Sequence, residues 1–300
     1  MKWNLALGGL AASWGFIAVL AASVELGAEA LAFWRLALAA ATLGVVALVA
    51  RRGALLHPRG RLGALALLGV VQGAHWLLFF EAVEHGSVAL AVLTFYAAPL
   101  LIAVSAPFVL GERTSGVVLG ACLVGAVGIA AIALDGGEDG AVSLAAVAAG
   151  LGSAATYAVL VLLSKRLLRA SIPPLTVAFW DCLVGALAVA PVLLLADRVL
   201  PEGVGEWSAV LALGIVFTGA STLVYAMLLR RVTAQTAGVL TFLEPVAGVL
   251  LAWAILEQQP GAATLFGGAL VVAAGVAVVV LEPGEAGVAD APAGVGSGRS

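Results

Sequence analysis

Val92-Leu93-Thr94-Phe95, with Pro99 close behind, returns later in the chain as Val239-Leu240-Thr241-Phe242, with Pro245 close behind. Each copy lies inside a long apolar run. The match extends outward from both. Phe33-Trp34-Arg35 recurs as Phe179-Trp180-Asp181, Gly73 pairs with Gly219, and a glutamate closes each run, Glu112 and Glu257. The offset stays between 145 and 147 throughout. One such match arises by chance, but an ordered series at nearly one offset indicates an internal duplication.

Composition sets the solvent in which that duplication folds. Of 300 residues, 63% are apolar and 10% charged, where soluble domains carry about 25% charged residues. Water cannot solvate so much apolar surface, whereas hydrocarbon can. The net charge of −3 carries little information, because its distribution matters more than its sum. No basic stripe interleaved with aromatics indicates nucleic-acid binding. Cys122 and Cys182 lie singly inside apolar runs, so neither a zinc site nor a disulfide framework is indicated. No cofactor or metal motif appears.

Ten runs are long enough to span a bilayer, about 17 to 25 residues each. They are Leu5 to Ala22, Ala30 to Ala50, Leu62 to Phe80, Val88 to Leu110 and Val117 to Leu134, then Leu144 to Leu163, Leu175 to Ala196, Ala209 to Leu229, Ala237 to Leu256 and Ala262 to Leu281. Barrel strands would be about ten residues with dyad alternation. These runs are twice that length and apolar on all sides, so the expected fold is an all-α membrane protein with ten transmembrane helices. Met1-Lys2-Trp3-Asn4 and the small residues Ala21-Ala22-Ser23 frame the first run like a signal peptide. The run is too long for that, and its loss would break the repeat.

Charge sets the orientation. With the N-terminus cytoplasmic, the inside segments hold Lys2, Arg51, Arg52, Arg59, Arg61, Arg113, Lys165, Arg166, Arg169, Arg230, Arg231 and Arg299. Only Arg198 and the in-helix Arg35 fall elsewhere. The outside loops carry Glu25, Glu29, Glu84, Asp135, Glu138, Asp139, Asp197, Glu202, Glu206 and Glu257. The positive-inside rule therefore places both termini in the cytoplasm of a multi-pass inner (plasma) membrane protein. Five helices per half is an odd number, so the halves, 1–140 and 141–282, enter from opposite sides as inverted repeats, with 283–300 a disordered tail.

Trp14-Gly15, Phe33-Trp34-Arg35, the run Ser87 to Pro99, Leu110-Gly111-Glu112-Arg113, Leu243-Glu244-Pro245 and Leu256-Glu257 together resemble the EamA-type branch of the drug/metabolite transporter superfamily. The resemblance covers Leu5 to Leu281. It implies a secondary transporter that moves small metabolites, often amino acids or related solutes and commonly as export. It also implies a central cavity lined by helices one, three, four, six, eight and nine. The sequence departs from a strict repeat where Asp181 replaces Arg35, Ala98 replaces Glu244, and Gln258-Gln259 replace Arg113-Thr114. The halves have therefore specialised.

Charges inside spanning helices cost roughly 2.5 to 3.5 kcal/mol each on insertion scales, so they mark function or a partner. Glu244, directly before Pro245, is the first candidate for a substrate amine or a coupling proton. Histidine's intrinsic pKa lies near working pH, which makes His75, beside Trp76, a candidate for substrate binding or proton relay. Trp14, Tyr96 and Tyr157 offer rings with polar handles to an amphipathic ligand or cation. Ser221, with Thr218 and Thr222, either lines the cavity or bonds back to its own helix. Arg35 and Asp181 lie near helix ends, where long side chains snorkel to the interface, and read as structural or gating residues. Pro99 and Pro245 read as paired hinges. Gly69-xxx-Gly73 and Gly116-xxx-Gly120 predict close helix contacts, and glycine faces on helices five and ten suit either a homodimer or internal packing. Lys165-Arg166-Leu167-Leu168-Arg169 reads as an orientation signal only. The expected partners are a small-molecule substrate and the lipid bilayer. A membrane-embedded enzyme acting on a lipid-soluble substrate is the competing class, and would need acid, base or nucleophile groups gathered near one interface.

Overall fold

The computed structural model describes residues 1–85, 88–135, 143–257, 259 and 261–282. Ser87, Glu138, Asp139, Gln258, Arg299 and the tail 283–300 lie outside the described residues. Within them the chain is helical, without strands. Ten helices follow one another: α1 (Lys2–Ala21), α2 (Ala28–Val49), α3 (Leu62–Glu84), α4 (88–110), α5 (Gly116–Asp135), α6 (Leu144–Arg169), α7 (Pro174–Leu195), α8 (Gly203–Leu229), α9 (234–256) and α10 (Ala262–Leu281). Among the described residues, nine are long and apolar enough to cross a membrane, and α5 is a shorter apolar helix. Several run past the apolar segments: α6 continues through Lys165 to Arg169, and α8 begins six residues before Ala209. Intrahelical hydrogen bonding does not stop where the apolar residues do, so a helix can carry polar turns at its ends.

The two prolines break their helices two to four residues upstream. α4 divides into Val88–Phe95 and Ala98–Leu110, and α9 into Ala234–Leu240 and Leu243–Leu256. A proline at position i removes one donor and crowds the carbonyl of i−4, which is Phe95 for Pro99 and Thr241 for Pro245. The chain tightens there: Ala97 N–H bonds Thr94 O at 3.1 Å and Glu244 N–H bonds Thr241 O at 3.1 Å. Expected hinge positions thus coincide with breaks in the helical ladder. α1 is also interrupted, at Trp14, and α8 widens to π geometry over Ala212–Ala220.

The packing is that of an inverted repeat. α2 and α7 meet antiparallel: the Trp34 indole near the start of α2 donates to Val199 O beyond the end of α7, and the Trp180 indole near the start of α7 donates to Leu56 O beyond the end of α2. Each is 2.7 Å long. α3 packs on α7 as α8 packs on α2, α4 packs on α6 as α9 packs on α1, and α5 lies along α10. The symmetry is imperfect, because α3 contacts α6 far more extensively than α8 contacts α1.

Small residues set the close crossings. A Cβ on Gly15 would lie 2.5 Å from the Gly248 backbone nitrogen, which brings α1 against α9. Gly69 and Gly73 meet Val184 and Ala188 of α7, as the spacing predicts. Gly116 and Gly120 face open space among the described residues, where the second predicted contact does not form. α5 instead crosses α10 at Gly128, whose Cβ would lie 2.6 Å from Gly267 O. That part of the glycine face serves internal packing.

Candidate functional site

The break in α4 and the first turn after the break in α9 bring several predicted residues toward the bundle centre. Glu244 occupies that turn of α9 and is half-buried, its carboxylate with no hydrogen-bond or ion-pair partner among the described residues. Arg35 of α2 is 7% exposed. Its guanidinium carbon lies 4.6 Å from the Trp76 ring centroid, and its Nε donates to Thr218 Oγ1 at 3.2 Å. The expectation that Arg35 snorkels to the surface therefore fails. The Trp76 face and the Thr218 hydroxyl, on the π-helical stretch of α8, give the cation an internal seat that is cheaper than reaching water. No ion pair joins Arg35 and Glu244 among the described residues.

An aromatic cluster adjoins Arg35 through Trp76. Trp14, at the interruption of α1, packs against Tyr225 of α8 at 5.7 Å between centroids. His75 of α3 contacts Trp76, Phe95 and Tyr157 at 5.3, 5.4 and 5.5 Å. Tyr157 of α6 also meets Phe95 at 5.2 Å. The imidazole is spoken for on one side, since His75 Nδ1 lies 3.1 Å from Ser153 O and 3.0 Å from Ser153 Oγ. Tyr96 sits at the α4 break, almost fully buried, with its ring stacked on Phe242 at 5.5 Å inside an aliphatic cluster of α5, α9 and α10. Its ring also meets Phe95 at 5.0 Å, which links it to His75 and Tyr157. Ser221 donates its hydroxyl to Phe217 O at 2.7 Å, so that proton is used within its own helix. Asp181 of α7 stands apart from this group with Oδ1 buried and unpartnered among the described residues.

Tyr225 and Ser153 escaped the sequence reading. The Tyr225 hydroxyl is buried without a hydrogen-bond partner among the described residues, and the Tyr157 phenol is near enough to interact with it. Tyr225 lies one turn after Ser221, and Tyr157 one turn after Ser153, so helical spacing placed each on a face already marked.

A second polar cluster closes the arginine-rich end. Glu112, just beyond α4, has a side chain only 3% exposed; its Oε1 receives Arg169 Nη2 at 2.7 Å and its Oε2 receives the Ala234 amide at 2.9 Å. Arg169 Nη1 also donates to Leu110 O at 2.6 Å. Lys165 is fully buried and donates to Leu229 O at 2.8 Å and Val232 O at 2.5 Å. Its segment is thus more than an orientation signal. At the acidic end a polar cleft of about 580 Å³ opens among Ser23, Glu25, Arg198, Glu202, Gly205 and Glu206, between the end of α1 and the start of α8.

The model of the EamA-like transporter family matches this chain twice, over residues 1–134 and 144–281. The chain belongs to the EamA-like transporter family. It is a multi-pass membrane protein and a transporter of the drug/metabolite type. The pseudopaline exporter CntI of Pseudomonas aeruginosa is 28% identical over 260 residues, 86% of this chain and 88% of that one. The aromatic amino acid exporter YddG of Ancylobacter novellus is 30% identical over 219 residues, covering 71% and 74%. An uncharacterized transporter of Archaeoglobus fulgidus is 26% identical over 195 residues, covering 65% and 68%. One solved crystal structure superposes with a TM-score of 0.80 over 93% of this chain and 97% of its own, at 24% identity, which establishes the shared fold.

Proposed function

We propose that this EamA-family transporter exports a small zwitterion with an apolar or aromatic body, such as an amino acid or a related solute. The observations that carry the reading are Arg35, seated inside the bundle against Trp76 and Thr218, and Glu244, whose half-buried carboxylate has no partner among the described residues, together with the aromatic contacts of Trp14, Tyr157 and Tyr225. A guanidinium fork suits a carboxylate, and a carboxylate suits an ammonium group. Aromatic faces suit the remainder of such a ligand. A ligand bearing both charges would leave neither group uncompensated in a low-dielectric site.

The halves 1–140 and 141–282 would exchange conformations about this centre, as inverted repeats do, with both termini in the cytoplasm of the inner membrane. Transport rather than catalysis is the reading, and the exporters among the relatives favour outward movement. Glu244 would carry either the substrate amine or a coupling proton.

The test is counterflow in proteoliposomes with labelled amino acids, amines and sugars, with and without a pH gradient, comparing wild type with Glu244→Gln. Saturable exchange of amino acids, weakened in the variant, supports the reading. Exchange that survives but loses its response to pH makes Glu244 the coupling group. Exchange of sugars alone, independent of Glu244, would sink the zwitterion assignment.

A further inference from the structure

We propose that Glu112, Lys165 and Arg169 form a buried latch that holds the arginine-rich end shut and must release in each transport cycle. The proposal rests on the alternating-access reading above. Its geometry joins four segments from both halves: the end of α4, the end of α6, the end of α8 and the start of α9. Glu112 belongs to the first half, and every partner named for its carboxylate, Arg169 and the Ala234 amide, to the second. Lys165 ties α6 to the α8–α9 turn through Leu229 O and Val232 O.

The other end cannot build this clasp. In the register set by Pro99 and Pro245, an offset of 146, the counterparts of Glu112, Lys165 and Arg169 are Gln258, Val19 and Ser23. All three are neutral, and the only basic residue in α1 is Lys2, at its opposite end. The acidic end is instead held by a different ionic contact between the halves: Arg198 lies 3.9 Å from Glu25 and pairs with Glu206, whose Oε1 accepts the Glu25 amide at 2.9 Å. The two contacts differ in burial: the Glu112 side chain is 3% exposed and that of Glu25 90%, so only the arginine-rich end closes on a carboxylate removed from water.

Buried ion pairs suit a latch because their desolvation largely offsets their attraction, so a hydrated open state lies close in free energy. Removing one partner is different. Loss of Arg169 takes the cation from a carboxylate 3% exposed, and loss of Glu112 frees an arginine 36% exposed to turn to water, so either favours opening.

The test uses a chain in which Cys122 and Cys182, the two free cysteines, are replaced by alanine, with Ala237→Cys as reporter. Ala237 is fully buried one turn beyond Ala234. Maleimide labelling rates would be measured in lipid nanodiscs, where both ends are accessible. Glu112→Gln and Arg169→Gln should each raise the rate about tenfold. Arg166→Gln, exposed beside them, should not change it. Unchanged rates in folded Glu112→Gln and Arg169→Gln protein would overturn the latch. Failure of both variants to fold would also overturn it, because the contacts would then hold the fold and not one state of it. Raised labelling together with absent counterflow would keep the latch and sink the transport reading.

Discussion

Gly111 and Glu257 occupy the same left-handed cap at the ends of α4 and α9, with φ of 66° and 57°. Their separation of 146 is that of Pro99 and Pro245. Glu257 therefore stands where the first half has its glycine, and the equivalence of Glu112 with Glu257 suggested by the sequence is one residue out of register. A left-handed conformation costs an L-residue roughly 1 to 2 kcal/mol, of which glycine's greater unfolded freedom returns about half. Glu257→Gly is expected to stabilise the protein by about 0.5 to 1 kcal/mol. A lowered melting temperature in detergent would show that the Glu257 side chain makes a compensating contact.

The paired indole bonds of Trp34 and Trp180 should be energetically alike. Trp34→Phe and Trp180→Phe each delete one hydrogen bond and leave a ring, at a cost of about 0.5 to 1.5 kcal/mol. The two sites lie at opposite ends of the bundle and share no partner, so the double variant should lose the sum. Thermal unfolding of the three variants checks this, and a double loss well below the sum would mean that the ends are coupled.

Arg35 and Glu244 should discriminate among substrate analogues. Arg35→Gln is expected to weaken a transported zwitterion at least about tenfold, since truncating one side of a buried charge contact costs about 2 to 5 kcal/mol. The matching amine that lacks a carboxylate should be indifferent to Arg35→Gln yet remain sensitive to Glu244→Gln. Competition of each analogue against labelled substrate in counterflow reads both effects. Equal sensitivity of zwitterion and amine to Arg35→Gln would remove Arg35 from the substrate contact.

Tyr225→Phe separates binding from stability. A buried hydroxyl without a partner costs about 1 to 3 kcal/mol, so its deletion should leave the melting temperature unchanged or higher. If the hydroxyl serves a ligand beside Trp14 and Tyr157, the apparent substrate KM should rise. A stability loss with unaltered KM would mean that Tyr225 is bonded within the fold.

Gly128→Leu and Gly120→Leu should differ sharply although both lie on α5. The first drives a side chain into Gly267 O and Val271, an overpacking expected to cost about 1 to 3 kcal/mol or more. The second meets open space and should be close to neutral. Melting temperatures in one detergent suffice, and similar losses at both sites would indicate that Gly120 faces a second protein.

Much of the fold was legible because hydrocarbon imposes its own rule: a spanning segment must be long, apolar and helical, and each of these properties is local. Run lengths gave the ten helices, and the offset between Val92 and Val239 gave the repeat. The prolines gave the two helix breaks, since the clash with the i−4 carbonyl is fixed by sequence distance. The charges in the helices pointed to Arg35, His75 and Glu244 because an ion in a membrane interior needs a reason. What each does with its charge was not local. Arg35 lies near the start of α2, as a snorkelling residue would, and only the approach of α3 and of the π-helical stretch of α8 turns it inward onto Trp76 and Thr218. Ser221 could have lined a cavity, and only its rotamer commits it to Phe217 O. Lys165 and Glu112 looked like polar ends of helices, but packing of four helix ends removes both from water and joins the halves through them. Helix number and repeat follow from short-range chemistry along the chain. Partners for a buried charge depend on which distant helices cross beside it, and that is decided by tertiary structure alone.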